Sequence, residues 1–262
     1  MPFYRIFRGM PDAGELVELF ADEPHFATEN GVFVLGDARE LIKRLPARSV
    51  DHVITDPPWG LGMDRYDRVS ALYELEEDLV RVTGPDAWLV MYSQPQALPK
   101  AFRLRKFRYV WMLVRIFYRT YGQSPVGYVA HAPVLVFRKG NPRVHYKRVD
   151  VLVSDELPII QTKLYDPQFK PTMTTATLLQ MFTAPGDVVL DPFAGLGSIP
   201  LVCDLFGRRW VAFEINPRKF EVARDFIVER KFYPVNEDRK KEKGRARPAK
   251  TLAEWFPAPL RI

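Results

Sequence analysis

The 262-residue chain contains one cysteine, four histidines and no apolar run approaching 18 residues. Each shortage excludes something. Cys203, alone in IPLVCDLF, cannot close an internal disulfide, and its neighbours make it a buried small hydrophobe rather than a nucleophile. A reducing cytoplasm is therefore the expected location. His25, His52, His131 and His145 have no ligand spacing, so no metal set is expected. No membrane span is expected, and MPFYRIFRGMPDAGELVELF lacks both an apolar h-region and a small-residue cleavage site. The glycine turn FAGLGSIPL lacks the third glycine of GxGxxG and is followed by no P-loop lysine, which argues against a pyrophosphate cradle and against ATP.

Net charge is +6, and its location matters more than its size. The stretch RKKEKGRARPAK holds Arg239, Lys240, Lys241, Lys243, Arg245, Arg247 and Lys250 against Glu242, a net of +6, so the remainder sums to zero. With Gly244 and Pro248 inside it and no apolar stripe, it reads as a linker: a solvated tail, or a nonspecific phosphate contact weakened by salt. TLAEWFPAPLRI beyond it is apolar enough to dock through Trp255 and Phe256. One domain over residues 1–235 with a tail over 236–262 is the economical division. Basic and aromatic residues also interleave from Phe102 to Ser124 and in FRKGNPRVHYKR, a mixture that suits either phosphate contact with base stacking or strands with snorkelling arginines.

Short β-rich runs alternate with helical periodicity. GVFVL, SVDHVIT, AWLVMYS, RYVWMLVRI, APVLVFRK, DVVL and RWVAF read as strands. ARELIKRL, residues 69–83, QALPKAFRLRK with an interruption near Pro99, TTATLLQMFT, residues 197–206 and RKFEVARDFIVER read as helices, and residues 141–168 have no clear period. This alternation predicts an α/β fold with a mostly parallel sheet covered on both faces.

Two stretches carry chemistry. TDPPWG follows the run SVDHVI, where Pro57 stops any ladder and leaves carbonyls at the carboxyl end of a strand, the usual ligand crevice of open α/β sheets. Asp56 and the free carbonyls supply acceptors there, and Trp59 sets an aromatic face beside them. Far downstream, GDVVLDPFAGLGS is strand, acid, glycine turn and helix, and Glu214 ends the next strand 17 residues after Gly197. That spacing suits a nucleoside-containing cofactor whose ribose hydroxyls an acid accepts.

Taken together these residues resemble the S-adenosylmethionine-dependent DNA amino-methyltransferases, the adenine-N6 and cytosine-N4 methylases. DPPW is similar to the family's catalytic tetrapeptide and VLDPFAGLGS to its cofactor loop, and their order resembles the circularly permuted beta group. The resemblance spans residues 30–140 and 165–230. It implies a doubly wound Rossmann-like sheet with permuted motif order, S-adenosylmethionine as cofactor and S-adenosylhomocysteine as product. It assigns catalysis to Asp56, Pro57, Pro58 and Trp59. Cofactor contacts fall to Asp37 near the adenine, Asp191, Pro192, Phe193, Ala194, Gly195 and Gly197 at the glycine turn, Glu214 on the ribose, and Lys170 at the carboxylate end. The family's histidine and glutamine before that lysine are replaced here by Asp166, Pro167 and Gln168, and residues 141–168 are short for a target-recognition insert. Aspartate at position 56 resembles the adenine-N6 enzymes, and the permuted order with no RRM, KH or zinc module points to double-stranded DNA, with cytosine-N4 transfer and RNA adenine-N6 transfer as the alternative activities. An inactive nucleic-acid-binding homologue is the non-enzyme alternative. Arg143, Lys147 and Arg148, with the basic tail, are the candidate DNA contacts. The resemblance also implies a homodimer and leaves room for a cognate restriction endonuclease.

Overall fold

Side chains alternate between two apolar cores along every central strand, and that alternation dictates a sheet covered on both faces. The computed structural model describes residues 13–60, 66–68, 70–117, 122–154 and 172–229. The expected basic tail, Trp255, Phe256 and Lys170 lie outside them. The strands are β1 (His25–Thr28), β2 (Gly31–Leu35), β3 (His52–Thr55), β4 (Ala87–Tyr92), β5 (Arg108–Phe117), β6 (Gly122–Ser124), β7 (Gly127–Val129), β8 (His131–Lys139), β9 (Val151–Ser154), β10 (Val188–Asp191) and β11 (Arg209–Glu214). The helices are α1 (Ala13–Glu18), α2 (Ala38–Arg44), α3 (Ala71–Glu74), α4 (Glu76–Val82), α5 (Leu98–Ala101), α6 (Thr172–Phe182), α7 (Ser198–Leu205) and α8 (Pro217–Ile227).

Nine strands form one sheet in the order β1-β2-β11-β10-β3-β4-β8-β5-β9, and β6 and β7 form a separate hairpin. The central strands β2, β11, β10, β3 and β4 run parallel to one another, so their carboxyl ends share one edge, and β1 pairs antiparallel to β2. Antiparallel β8 and β5 extend the sheet beyond β4, and β9 pairs parallel to β5. Phe33, Ile54, Val90, Val189 and Ala212 face the core closed by α6, α7 and α8. Their sequence neighbours Val32, Val53, Leu89, Leu190 and Val211 face the opposite core, closed by α1, α2, α4 and α5. A one-residue slip in any of these strands would exchange the two faces, so the register is strongly specified.

Three details depart from the sequence expectation. The helix predicted over residues 69–83 is broken at Leu75, whose N–H turns back to the Leu72 carbonyl in a tighter bond, and α4 starts afresh from Leu75. The helix predicted over residues 96–106, with an interruption near Pro99, is shorter: a tight turn over Pro95–Ala97 leads directly into α5, which holds Pro99 in its first turn and stops at Ala101. Residues 141–168 contain a strand, β9, too short to declare a period. No helix among the described residues is long and apolar enough to cross a membrane.

Candidate active site

Four acids line the carboxyl edge of the parallel strands in spatial order. Asp37 lies just beyond β2, Glu214 ends β11, Asp191 ends β10 and Asp56 directly follows β3, and these four strands are consecutive neighbours. Three inter-strand spacings of about 4.8 Å separate the first acid from the last, roughly 14 Å, room for an extended nucleoside bearing a short amino-acid chain.

The glycine turn is fastened at both ends. The Ala194 N–H donates to the Phe213 carbonyl at 2.9 Å and the Gly197 N–H to the Ala194 carbonyl at 2.8 Å. Glu214 accepts from the Gly195 N–H through Oε2 and from the Asn216 N–H through Oε1, each at 2.7 Å. The same carboxylate thus shapes the turn and, through the remaining lone pairs of its oxygens, retains capacity to accept further hydrogen bonds. Gly195 and Gly197 have φ of +55° and +79°, a region closed to most side chains. A Cβ on Gly197 would stand 2.8 Å from Ile227 Cδ1 and 3.0 Å from Ala223 Cβ, so this glycine lets α7 approach α8. A Cβ on Gly195 would meet nothing within 4 Å, which leaves open space beside the turn. Pro192 and Ala194 are buried in the turn and Phe193 is half-buried.

Asp191 is 2% exposed. Its Oδ1 accepts from the Thr55 hydroxyl at 2.7 Å and from the Phe193 N–H at 3.2 Å, while Oδ2 is buried without a partner. Burial, reinforced by the nearby charges of Asp56 and Glu214, pushes this carboxyl up to about 7. An orphaned buried oxygen beside open space is a position that a cationic or hydrogen-donating ligand would satisfy.

Asp37 caps α2 by accepting from the Arg39 N–H at 2.9 Å, and the Arg39 side chain reaches both of its oxygens. That guanidinium holds the carboxyl below its usual range. Arg39 also donates to Glu74, which accepts from Arg68 and Ser70. The TDPPWG loop nears this region through the Gly60 N–H, which donates to Asp67 at 2.7 Å. Neither Arg39 nor Asp67 is marked by the motifs, since each acts on them through side-chain bonds from outside the motif itself.

In TDPPWG, Asp56 is half-buried at the edge, Pro57 is buried and Pro58 half-buried. Trp59 is 7% exposed, packs into the core beneath α1, α2 and α4, and buries Nε1 without a partner.

Of the candidate DNA contacts among the described residues, Arg143 lies away from this edge. The Arg143 carbonyl accepts from Trp88 Nε1 at 2.8 Å, near the amino end of β4. Trp88 and Tyr92 are four residues apart, about 13 Å along a strand, so Arg143 sits at the far end of the sheet from Asp56. The chain then climbs along α6, with the His145 N–H on the Met181 carbonyl and Arg148 Nη1 3.4 Å from Thr177 Oγ1. Arg143, Lys147 and Arg148 are all exposed. Arg239, Lys240, Lys241, Lys243, Arg245 and Arg247 lie outside the described residues.

The family model N6_N4_Mtase, described as DNA methylase, matches residues 50–225, and the chain belongs to this DNA methylase family. Among curated relatives, YubD of Escherichia coli is 29% identical over 196 residues, covering 70% of this chain and 84% of YubD. The DNA adenine methyltransferase YhdJ of Escherichia coli is 24% identical over 266 residues, covering 78% of this chain and 87% of YhdJ. In structure the chain is similar to the cytosine-N4-specific PvuII DNA methyltransferase, with a TM-score of 0.64 and 19% identity over 84% of this chain and 93% of that one. It is also similar to M1.HpyAVI in its complex with SAM, with a TM-score of 0.56 and 17% identity over 75% and 98% of the two chains. These structural likenesses establish the α/β methyltransferase fold.

Proposed function

We propose that this chain transfers the methyl group of S-adenosylmethionine to the N6 amino group of adenine in double-stranded DNA, acting on a base extruded from the duplex. The supporting observation is the row of Asp37, Glu214, Asp191 and Asp56 on four neighbouring strand ends, with the glycine turn beside them. When bound, the cofactor supplies an electrophilic methyl on a positively charged sulfur. Asp37 accepts from its adenine, Glu214 accepts its ribose hydroxyls, and the open side of Gly195 accommodates its backbone approach. Asp56 and the Pro57 carbonyl accept the two N–H bonds of the target amino group and aim its lone pair at the methyl for in-line transfer. Pro58 stiffens the loop, and stacking on Trp59 requires its indole to become accessible to the base.

Digestion of methylated DNA to nucleosides with mass analysis tests this reading: N6-methyldeoxyadenosine is expected. N4-methyldeoxycytidine, which the likeness to the cytosine-N4-specific PvuII enzyme keeps in view, would overturn the choice of base. Methylated ribonucleosides would overturn the choice of DNA, and no methylation at all would leave a nucleic-acid-binding homologue.

Glu214→Ala should weaken cofactor affinity by about 1.5 to 3 kcal/mol, the range for charge-assisted hydrogen bonds. Because the same substitution strands the Gly195 N–H, calorimetry is paired with thermal melting: unchanged affinity removes the ribose assignment whatever the stability. The two glycines should separate in the same pair of measurements. Gly197→Ala is expected to lower fold stability by about 1 to 2 kcal/mol through its left-handed backbone and its contact with α8. Gly195→Ala carries the backbone strain without the clash but places a methyl in the cofactor's space, so its affinity loss should exceed its stability loss. Equal effects on stability and affinity in both variants would remove Gly195 from the site.

A homodimer is supported by the sheet edge. Val114 pairs with Val151 and Ile116 with Val153, which puts these side chains on one face, where Ile116, Val151 and Val153 are 38%, 38% and 57% exposed. Sedimentation at a monomer's mass over micromolar concentrations overturns it. Lys147, Arg148 and the basic tail are proposed to supply nonspecific phosphate contacts, with a salt slope that reports them.

A further inference from the structure

Strands β3 and β10 carry the two halves of the site, and they part company before reaching it. Their ladder runs through His52↔Val189 and Val53↔Leu190 and ends there. Beyond it, the Thr55 hydroxyl donates to Asp191 Oδ1 at 2.7 Å, across 136 residues of sequence, with both side chains fully or almost fully buried. Thr55 immediately precedes Asp56, and Asp191 immediately precedes the glycine turn. Among the described residues this bond therefore spans the opening crevice between the segment proposed to hold the target amino group and the segment proposed to hold the cofactor.

We propose that Thr55 is a positioning residue for methyl transfer, its hydroxyl fixing the separation of Asp56 from the cofactor loop by holding Asp191. The inference rests on the reading of TDPPWG and the glycine turn given above. The hydroxyl acts in two ways. It sets distance, since the crevice has no ladder bond at this level and a buried bond of normal length tolerates little drift. It also stabilises the ionised form of Asp191, because a donor aimed at a carboxylate favours the charge. The groups bearing on that carboxyl are Asp56 after β3, Glu214 on β11 and the Cys203 thiol on α7, none of them a cation, so the Thr55 hydroxyl and the Phe193 N–H are what oppose the desolvation.

Thr55→Val is nearly isosteric and removes only the donor; Thr55→Ala removes the donor without risk of crowding; Thr55→Ser keeps it. Folding is checked by thermal melting, cofactor affinity by calorimetry with S-adenosylmethionine, and the chemical step by single-turnover methylation across pH 6 to 9. The expected result for Thr55→Val, or for Thr55→Ala should the valine variant not fold, is at least a 10-fold slower chemical step with affinity changed less than the rate. The acid limb of the rate profile should move to higher pH, and Thr55→Ser should recover most of both. In an Asp191→Leu background the Thr55→Val substitution should add less than twofold, since its partner is gone. A Thr55→Val or Thr55→Ala variant with wild-type rate and an unmoved acid limb overturns the proposal, as does full additivity with Asp191→Leu. Wild-type protein that binds no S-adenosylmethionine would instead overturn the functional reading beneath it, so the two failures are distinguishable.

Discussion

Replacing Asp56 with alanine is expected to slow single-turnover methyl transfer on the order of 100-fold or more while leaving cofactor affinity close to wild type. The loss corresponds to about 2.7 kcal/mol of transition-state stabilisation. Asp56 lies at the strand edge one residue after β3, and its neighbour Pro57 is buried with a fixed φ, so the loop cannot swing another acceptor into its place. The aromatic amino nitrogen becomes nucleophilic only when its hydrogens are held, and alanine leaves one of them to water. Asp56→Asn keeps one acceptor oxygen and should fall between the two. There is a second consequence: the Asp56 charge helps raise Asp191, so its removal should shift the acid limb of cofactor binding to lower pH. Rapid-quench measurement with labelled methyl donor and duplex DNA decides the matter, and a wild-type rate in Asp56→Ala would show that TDPPWG is not the active site.

The second large effect concerns stability. Asp191 stands at about 7 in the fold against 3.8 for an unperturbed carboxyl, with burial the leading cause. Between these values the folded protein holds a proton that the unfolded chain has released. The associated stability is fully present below about pH 4 and is lost as pH rises through 7, a total on the order of 4 kcal/mol. His145 and Asp187 act in the opposite sense. Burial lowers His145, while the His52 side chain and the Ala184 N–H lower Asp187 against its own burial. Their contributions are present at higher pH and are lost on acidification, for His145 below its ordinary 6.5 and for Asp187 below 3.8. The comparison that isolates Asp191 is therefore between variants. Urea unfolding of wild type and Asp191→Asn from pH 4.5 to 8 should show the asparagine protein gaining on wild type as pH rises, then running parallel above 7. A constant difference across that range would mean that Asp191 is ionised throughout. Saturating S-adenosylmethionine, a cation, should reverse part of the wild-type loss, with its largest stabilising effect above pH 7.

The sheet and the row of acids were legible because each rests on local sequence. GVFVL, DVVL and RWVAF announce themselves by short β-branched or apolar runs ending at glycine, proline or acid, and the motifs sit where those runs stop. What escaped the sequence has no local signature. β9 is four residues long, β1 pairs through HFAT with little apolar content, and α1 depends on Leu16 and Phe20 finding the core under β2. The break at Leu75 is invisible to a periodicity that reads the same on both sides. The Thr55–Asp191 bond joins positions 136 residues apart and follows from strand order, which no window of sequence contains. The basic residues near 143 are the complementary case: composition reports their charge, whereas only the path of the chain reveals that Arg143 lies near the amino end of β4.

The position of β2 also governs how the molecule is made. GVFVL pairs with β1 on one side and with β11 on the other, and Thr28 and Asn30 beside it donate to Asp204, a residue about 175 positions later. A ribosome adding about 5 to 20 residues per second needs roughly 10 to 35 seconds to reach β11 after finishing β2. Throughout that interval an uncharged, β-prone strand has only a two-stranded ribbon for shelter, which is marginal at best in water. The central sheet closes only when nearly the whole catalytic region has emerged. Synthesis of this methylase therefore passes through a long window in which β2 is the segment most exposed to aggregation, and in which a chaperone able to hold a short apolar hairpin has the most to protect.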